Sequence, residues 1–99
     1  MKEALITIRL MDVVTGTSTN ADALPLFNLI DSILSNNQKV RLSLDGATPF
    51  STSFLNSSIG SLADKYGLDN MRKKIVFTNL KESQIKAIKR YFDLISTTI

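Results

Sequence analysis

The chain has 99 residues, with 12 lysines and arginines, 9 aspartates and glutamates, and no histidine, cysteine or tryptophan. Because the usual zinc sites, nucleophilic triads and redox dithiols need thiol or imidazole side chains, the composition excludes all three. The length and the 43% hydrophobic content predict one globular domain over residues 1–99. From the missing residue types we expect no metal and no cofactor. No apolar run approaches the roughly 20 residues of a membrane span, and we expect a cytoplasmic protein of a bacterial kind.

The net charge of +3 comes from the second half of the chain. Residues 1–49 carry four basic and five acidic side chains, whereas residues 50–99 carry eight basic and four acidic ones. The late basic cluster suggests an alternative function as a nucleic-acid-associated regulator, but no aromatic residue is interleaved with it for base stacking. We therefore expect a protein partner rather than nucleic acid. The cluster consists of Arg72, Lys73, Lys74, Lys86, Lys89 and Arg90.

The first predicted elements are a strand and a helix. Apolar and polar residues alternate over residues 5–11, which is typical of a half-buried strand, and Val13 and Val14 leave room for a short extra strand. An apolar stripe at helical spacing then predicts a helix that ends near residues 36–37. The stripe consists of Leu26, Phe27, Ile30, Ile33 and Leu34. We expect Asn20 or Asp22 to cap this helix and Pro25 to lie in its first turn.

The second half of the chain repeats this order. Residues 40–45 alternate like a second strand, and an apolar stripe that ends before Gly67 predicts a second helix. This stripe contains Leu55, Ile59, Leu62, Ala63 and Tyr66. A third strand is predicted over residues 75–77, and Asn79 with Glu82 suggests the capping box of a last helix. The last stripe contains Ile85, Ile88, Phe92 and Ile95.

This alternation of strands and helices predicts an α/β fold. We expect a small parallel or mixed sheet of about four strands, with three helices packed mainly on one face, because crossovers between parallel strands have one hand. The other face should then be partly exposed to water, which suits the polar residues at the outward positions. These residues are Thr7, Arg9, Arg41, Ser43 and Asp45.

Residues 46–63 contain no charged side chain, although 21% of the whole chain is charged. The segment runs from the end of a strand into a helix, where α/β sheets usually place their working surface. Ser53, Ser57 and Ser61 recur every four residues, with Asn56 and Gly60 beside them. The small residues either let the helix pack closely on its own sheet or form a flat docking face for another protein. Both can hold, since different sides of one helix can do the two jobs.

Three hydroxyl residues, Ser51, Thr52 and Ser53, stand where this helix should begin. We expect at least one of them to cap the helix, and a phosphoacceptor is the functional alternative, because the helix N-terminus favours a bound phosphate. A nucleotide-binding loop is not indicated, since Gly46 and Gly60 have neither P-loop spacing nor the Gly-Lys-Ser/Thr ending.

The central motif resembles the family of STAS-like domains of unknown function, which is distantly similar to anti-sigma-factor antagonists. The resemblance covers about residues 4 to 95, and its matching positions are Asp45, Gly46, Ser53, Phe54, Leu55, Gly60, Gly67 and Asn79. The chain departs from the family pattern at Asn56, where an acidic residue is usual, and at residues 57–59.

The resemblance implies a function. Anti-sigma-factor antagonists carry a phosphorylatable serine in an Asp-Ser-Ser-Gly motif, and their partner is a GHKL-type ATPase that acts as kinase and sigma-binding protein. Ser53 falls on the acceptor position, while Ser51 and Phe54 replace the aspartate and the glycine. The resemblance thus implies a non-catalytic protein-protein interaction and regulatory module that switches partners through phosphorylation of Ser53.

We expect the partner to bind the loop after the second strand and the helix that follows it. The predicted partner-binding residues are Asp45, Gly46, Thr48, Pro49, Ser51, Thr52, Ser53, Asn56, Ser57, Gly60 and Ser61. An enzyme is not expected, because its general base would have to be Asp45 or Asp64, and neither belongs to a recognisable pair of titratable groups.

Overall fold

Three short strands pair in parallel in the order in which they occur along the chain. The computed structural model describes residues 5–47 and 49–96. The strands are β1 (Leu5–Arg9), β2 (Lys39–Ser43) and β3 (Ile75–Thr78), and β2 lies in the centre. The register places Ile8 beside Leu42 and Leu42 beside Phe77. The three predicted strands are confirmed, but the expected fourth strand is not among the described residues.

Helices connect the strands and follow the last one. They are α1 (Leu10–Val13), α2 (Asn20–Ser35), α3 (Thr52–Leu55), α4 (Ser61–Tyr66), α5 (Leu68–Lys74) and α6 (Glu82–Ser96). Asn56–Gly60 is π-helical, so α3 and α4 form one continuous helix. The prediction of three helices is wrong in number, because α1 occupies the place of the possible extra strand and the basic residues 72–74 form the last turn of α5.

One face of the sheet is buried and the other is open. Ile8, Leu42 and Ile75 are buried among helix residues such as Leu26, Leu62 and Ile88, and these side chains form one hydrophobic core. Thr7, Arg9, Arg41 and Asp45 are exposed, as predicted. Ser43 is an exception at 8% exposure, because its hydroxyl accepts hydrogen bonds from the side chain of Asn79 and the backbone of Asp45.

The start of α2 corrects two sequence expectations. The N-cap is Thr19, whose hydroxyl accepts from the Asp22 backbone N–H, while the Asp22 carboxylate accepts from the Thr19 N–H in a reciprocal capping box. Pro25 is therefore the sixth residue of the helix and not in its first turn. The carbonyl that it leaves without an intrahelical donor belongs to Ala21, which lies on the exposed side, where water can bond it.

The start of α6 also differs from the expectation. Gln84, and not Glu82, reaches back to the Lys81 N–H, and Asn79 turns the chain with a φ of 55° instead of capping the helix. Ile85 is 50% exposed, while Gln84 and Tyr91 are buried. Gln84 is held there because its side-chain amide also donates to the Ala47 carbonyl. No helix within the described ranges is long and apolar enough to cross a membrane.

Candidate functional site

The carboxyl ends of all three strands lie at one edge of the sheet, because the strands are parallel. The loop of residues 44–51 leaves this edge after β2 and leads into α3. We call this loop, together with Thr52 and Ser53, the carboxyl-edge surface. It contains most of the predicted partner-binding residues, although Thr48 lies outside the described residues.

The carboxyl-edge surface is fastened to the segment between α1 and α2. The Ser51 backbone N–H donates to the Thr17 carbonyl at 3.0 Å, and the Ser51 hydroxyl donates to the Ser18 carbonyl at 2.7 Å. The buried Thr17 hydroxyl donates to the Pro49 carbonyl at 3.0 Å. Sequence reasoning missed Thr17 and Ser18 as parts of the site. The hydroxyl- and glycine-rich run of residues 15–19, which follows β1 at the same edge, was the signal for them.

Arg9 links the end of β1 to the loop. Its guanidinium lies 3.0 Å from Asp12 and 3.5 Å from Asp45, and all three side chains are largely exposed, so each ion pair contributes little to stability. Gly46 lies under this guanidinium with a φ of +76°, and a Cβ there would come within 2.8 Å of Arg9. The Gly46 position favours glycine because of its positive φ, whereas the flexible Arg9 side chain could move away from a Cβ.

The structure separates the three hydroxyls at the start of α3. Ser51 is the N-cap, because its hydroxyl accepts from the Phe54 N–H at 3.0 Å. Thr52 and Ser53 are exposed and occupy the first two positions of the helix. Across the described residues, the Ser53 hydroxyl forms no hydrogen bond. The expected cap is confirmed, and the cap and the proposed phosphoacceptor are two different residues.

The next serines are used in internal hydrogen bonds, one to a neighbouring helix and two within their own helix. The Ser57 hydroxyl donates to the Asn20 side chain at 3.0 Å, and the buried Ser58 hydroxyl donates to the Phe54 carbonyl at 2.8 Å. The Ser61 hydroxyl donates to the Asn56 carbonyl, five residues earlier. These serines therefore do not form one free docking flank, because Ser57 is bonded to α2 and Ser58 and Ser61 are bonded to carbonyls of their own helix.

Gly60 provides the close approach that its position predicts, but the approach is made by α6 and not by the sheet. A Cβ at Gly60 would overlap the hydroxyl of Tyr91, and this hydroxyl donates to the Asn56 side chain at 2.7 Å. Burial, with a smaller contribution from the charge of Asp64, raises the pKa of Tyr91. A cleft of about 430 Å³ lies beside these residues, between α4 and the end of α6.

The chemistry that this arrangement offers is limited. No group of three or more metal-binding side chains occurs within the described ranges, and Asp45 is paired with Arg9 rather than with a second acid. The exposed Ser53 hydroxyl is a nucleophile, and it lies in the first turn of α3, where the helix dipole favours a negative charge such as a phosphate. The surface therefore suits binding and modification.

A family model described as a STAS-like domain of unknown function matches residues 22–84. The chain belongs to this family. The match spans α2, β2, the carboxyl-edge surface, β3 and the first residues of α6, which confirms the resemblance found in the sequence. Searches of curated proteins and of solved structures each gave no match.

Within this STAS-like domain, Asn56 stands at the position where the resemblance stated in the sequence analysis predicts an acidic residue. Its side-chain oxygen accepts the hydrogen bond of Tyr91, a bond that a carboxylate would accept equally well. Asparagine thus keeps the hydrogen-bond acceptor that joins the continuous helix of α3 and α4 to α6. It carries one negative charge fewer than an acidic residue would place on the exposed surface.

Proposed function

We propose that this STAS-like domain is a non-catalytic regulatory module in a signalling pathway, and that it binds another protein through the carboxyl-edge surface. The partner class that the family resemblance suggests is a GHKL-type ATPase that also serves as the kinase. In this proposal, phosphorylation of Ser53 changes the affinity for the partner.

The observation that carries the proposal is the difference between Ser51 and Ser53. The Ser51 hydroxyl and backbone N–H make three hydrogen bonds that hold the loop and cap α3. The side chain of Ser53, two residues later, is exposed and forms no hydrogen bond with the described part of the chain. A phosphoryl group on Ser53 would add about two negative charges to an otherwise uncharged stretch without breaking an internal contact. The switch would act on docking and leave the fold intact.

The proposed docking face consists of the exposed members of the predicted set that lie on the carboxyl-edge surface. These are Asp45, Gly46, Pro49, Thr52 and Ser53. A partner that covers them removes a single charge, that of Asp45, from water, so little desolvation opposes binding. We assign Ser57, Gly60 and Ser61 a supporting role, because they contact α2, α6 and their own helix.

Phosphorylation is tested by incubating the full chain with purified GHKL-type ATPases of the source organism and MgATP. We expect intact-mass spectrometry to show one added phosphoryl group, lost in Ser53→Ala and retained in Ser83→Ala, a control at another exposed helix start. A chain that stays unmodified with all of these ATPases, or that is modified elsewhere, would contradict the switch.

Docking is tested separately by binding of the same purified ATPases to unmodified variants. Thr52→Arg places a bulky charge on the proposed face without touching the core, and we expect it to weaken binding by about tenfold or more. Ser32→Arg on α2 is the matched control, since Ser32 is also an exposed helical hydroxyl residue. Equal binding by Thr52→Arg and the wild-type chain would rule out this face.

A further inference from the structure

The β3 strand is a lateral edge strand of the sheet, and few features of the described chain protect it. Its sequence, Ile-Val-Phe-Thr, is uncharged and rich in β-branched and aromatic residues, and Val76 is 48% exposed. It pairs with β2 on one side, and no strand of the described chain lies on the other. Proteins usually protect such an edge with charge, proline or a covering element, and an edge without them is a template for an added strand.

The outward backbone groups of β3 follow from its pairing. The Thr78 carbonyl accepts from the Leu44 N–H, so Thr78 and, by alternation, Val76 bond toward β2. Ile75 and Phe77 therefore direct their backbone groups outward, and the Ile75 N–H is already used by the Met71 carbonyl. The Phe77 N–H, the Phe77 carbonyl and the Ile75 carbonyl remain to bond an added strand.

A groove with an apolar floor borders this edge. Two adjoining hollows, of about 360 and 140 Å³, lie along β3 and α6 and share Arg72 and Phe92. The rings of Phe77 and Phe92 meet edge to face in the floor, with centroids 6.2 Å apart. On the α6 side, Ile85 is 50% exposed although it lines the larger hollow. An apolar side chain of a bound ligand would cover this exposed surface.

The rim of the groove is mainly basic. The guanidinium of Arg72 lies 5.2 Å from the centre of the Phe92 ring, and Lys89 lies one turn before Phe92 on α6. Neither Arg72 nor Lys89 forms an ion pair with any described residue, and Asp93 is the one acidic residue of the lining. The charge of the rim therefore complements acidic groups on a ligand.

We propose that this edge and groove bind an extended peptide segment of another protein, which adds to the sheet beside β3. The peptide backbone bonds the outward groups of Ile75 and Phe77, an apolar side chain fills the groove, and acidic residues contact Arg72 and Lys89. This is β-strand addition with pocket-based specificity. The site shares no residue with the carboxyl-edge surface, so one domain can hold two partners.

The test starts from a displayed library of random short peptides selected against the full wild-type chain. We expect the enriched peptides to combine an apolar residue with flanking Asp or Glu. One enriched peptide is then labelled, and its affinity is measured by fluorescence anisotropy. Lys89→Glu and Ile85→Asp should each weaken binding by about tenfold or more, because they reverse the rim charge and remove the apolar wall.

Two matched controls lie elsewhere on the helices. Arg90→Glu reverses the adjacent charge on the other side of α6, and Leu24→Asp alters a 54% exposed leucine of α2, so both should bind the peptide like the wild-type chain. Amide exchange measured by NMR adds a backbone readout. Bound peptide should slow exchange of the Phe77 amide and leave the amides of β1 unchanged.

Several results would overturn the proposal. They are the absence of enriched peptides, enrichment of basic or uncharged ones, equal loss of affinity in the control variants, and an unchanged Phe77 amide. Slow exchange of that amide in a concentration-dependent dimer without peptide would make a second copy the occupant. Single-stranded DNA that binds through Lys89 and is not displaced by the peptide would assign the rim to nucleic acid.

Discussion

The uncharged stretch of residues 46–63 has two halves that are both rich in small residues, but the first is mostly exposed to solvent and the second packs against other helices. The first half, residues 46–47 and 49–53 of the described chain, is a loop and a helix start in which Gly46, Pro49, Thr52 and Ser53 are exposed. Residues 56–61 contact α2 and α6 instead. The Ser57 hydroxyl donates a hydrogen bond to Asn20 of α2, and Gly60 lies against the Tyr91 hydroxyl of α6. Small polar residues can thus serve a binding face or a close helix contact, and only the neighbouring elements distinguish the two.

This comparison predicts that substitutions in the second half change stability and that those at the exposed positions of the first half change binding. The largest effect should come from Gly60→Ala, whose new Cβ would overlap the Tyr91 hydroxyl in a buried contact. We expect a loss of about 2 kcal/mol in the free energy of unfolding, because overpacking outweighs the roughly 1 kcal/mol that alanine gains in a helix. Urea unfolding measures it.

A double-mutant cycle sharpens this prediction. Tyr91→Phe alone should cost about 1 kcal/mol through the lost hydrogen bond to Asn56. In the Tyr91→Phe background the overlapping oxygen is gone, so Gly60→Ala should become neutral or stabilising. The two substitutions are then strongly non-additive. Additive losses would mean that Gly60 is required for a reason other than its contact with Tyr91.

A smaller effect separates Ser51 from Ser53. Ser51→Ala removes the N-cap and the bond to Ser18, and we expect it to lower the free energy of unfolding by about 1 kcal/mol. Ser53→Ala should stay within about 0.5 kcal/mol of the wild-type chain, because its side chain is exposed and makes no described contact. Thermal and urea unfolding of both variants decide this. Equal losses would give Ser53 a structural role and weaken its assignment as the switch.

The alternation of hydrophobic residues was enough to predict the three strands and the main helices. It could not predict α5, because Leu68–Lys74 has only one buried residue, Met71, and its basic end has the composition of a solvated turn. Nor could it predict the start of α2, since both Thr19 and Asp22 are good capping residues and in fact act as a pair. Local pattern fixes the kind of element better than its boundary.

The carboxyl-edge surface was predictable in place but not in detail. A strand followed by an uncharged loop indicates the working edge of a parallel sheet, and Asp45, Gly46 and Ser53 lie there. The spacing of Ser57 and Ser61 could show neither the π-helical turn of Asn56–Gly60 nor the groups to which the two hydroxyls are bonded. The partners that decide the roles of Ser57 and Gly60, which are Asn20 and Tyr91, lie more than 30 residues away in sequence.

The smallest effect concerns the residues of α4 that follow the uncharged stretch, where Lys65 and Tyr66 contact Asp31 of α2. Tyr66 donates to the Asp31 carboxylate at 2.5 Å, and the Lys65 ammonium lies 2.8 Å from the same carboxylate. The hydrogen bonds from Lys65 and Tyr66 lower the pKa of Asp31 below its ordinary 3.8. Because the folded-state pKa is the lower one, the contribution is complete well above pH 3.8 and is lost as the pH falls through the lowered value.

We therefore expect acid to destabilise the wild-type chain more than Asp31→Asn when urea unfolding is followed from about pH 7 to about pH 2. The asparagine can still accept from Tyr66, so the two proteins should converge at low pH, where the Asp31 carboxyl is protonated. Asp93→Asn, at an exposed carboxylate of α6, is the control that should keep the wild-type profile. Parallel profiles for Asp31→Asn and the wild-type chain would show that the charge of Asp31 does not stabilise the contact between α4 and α2, which would then depend on the hydrophobic core.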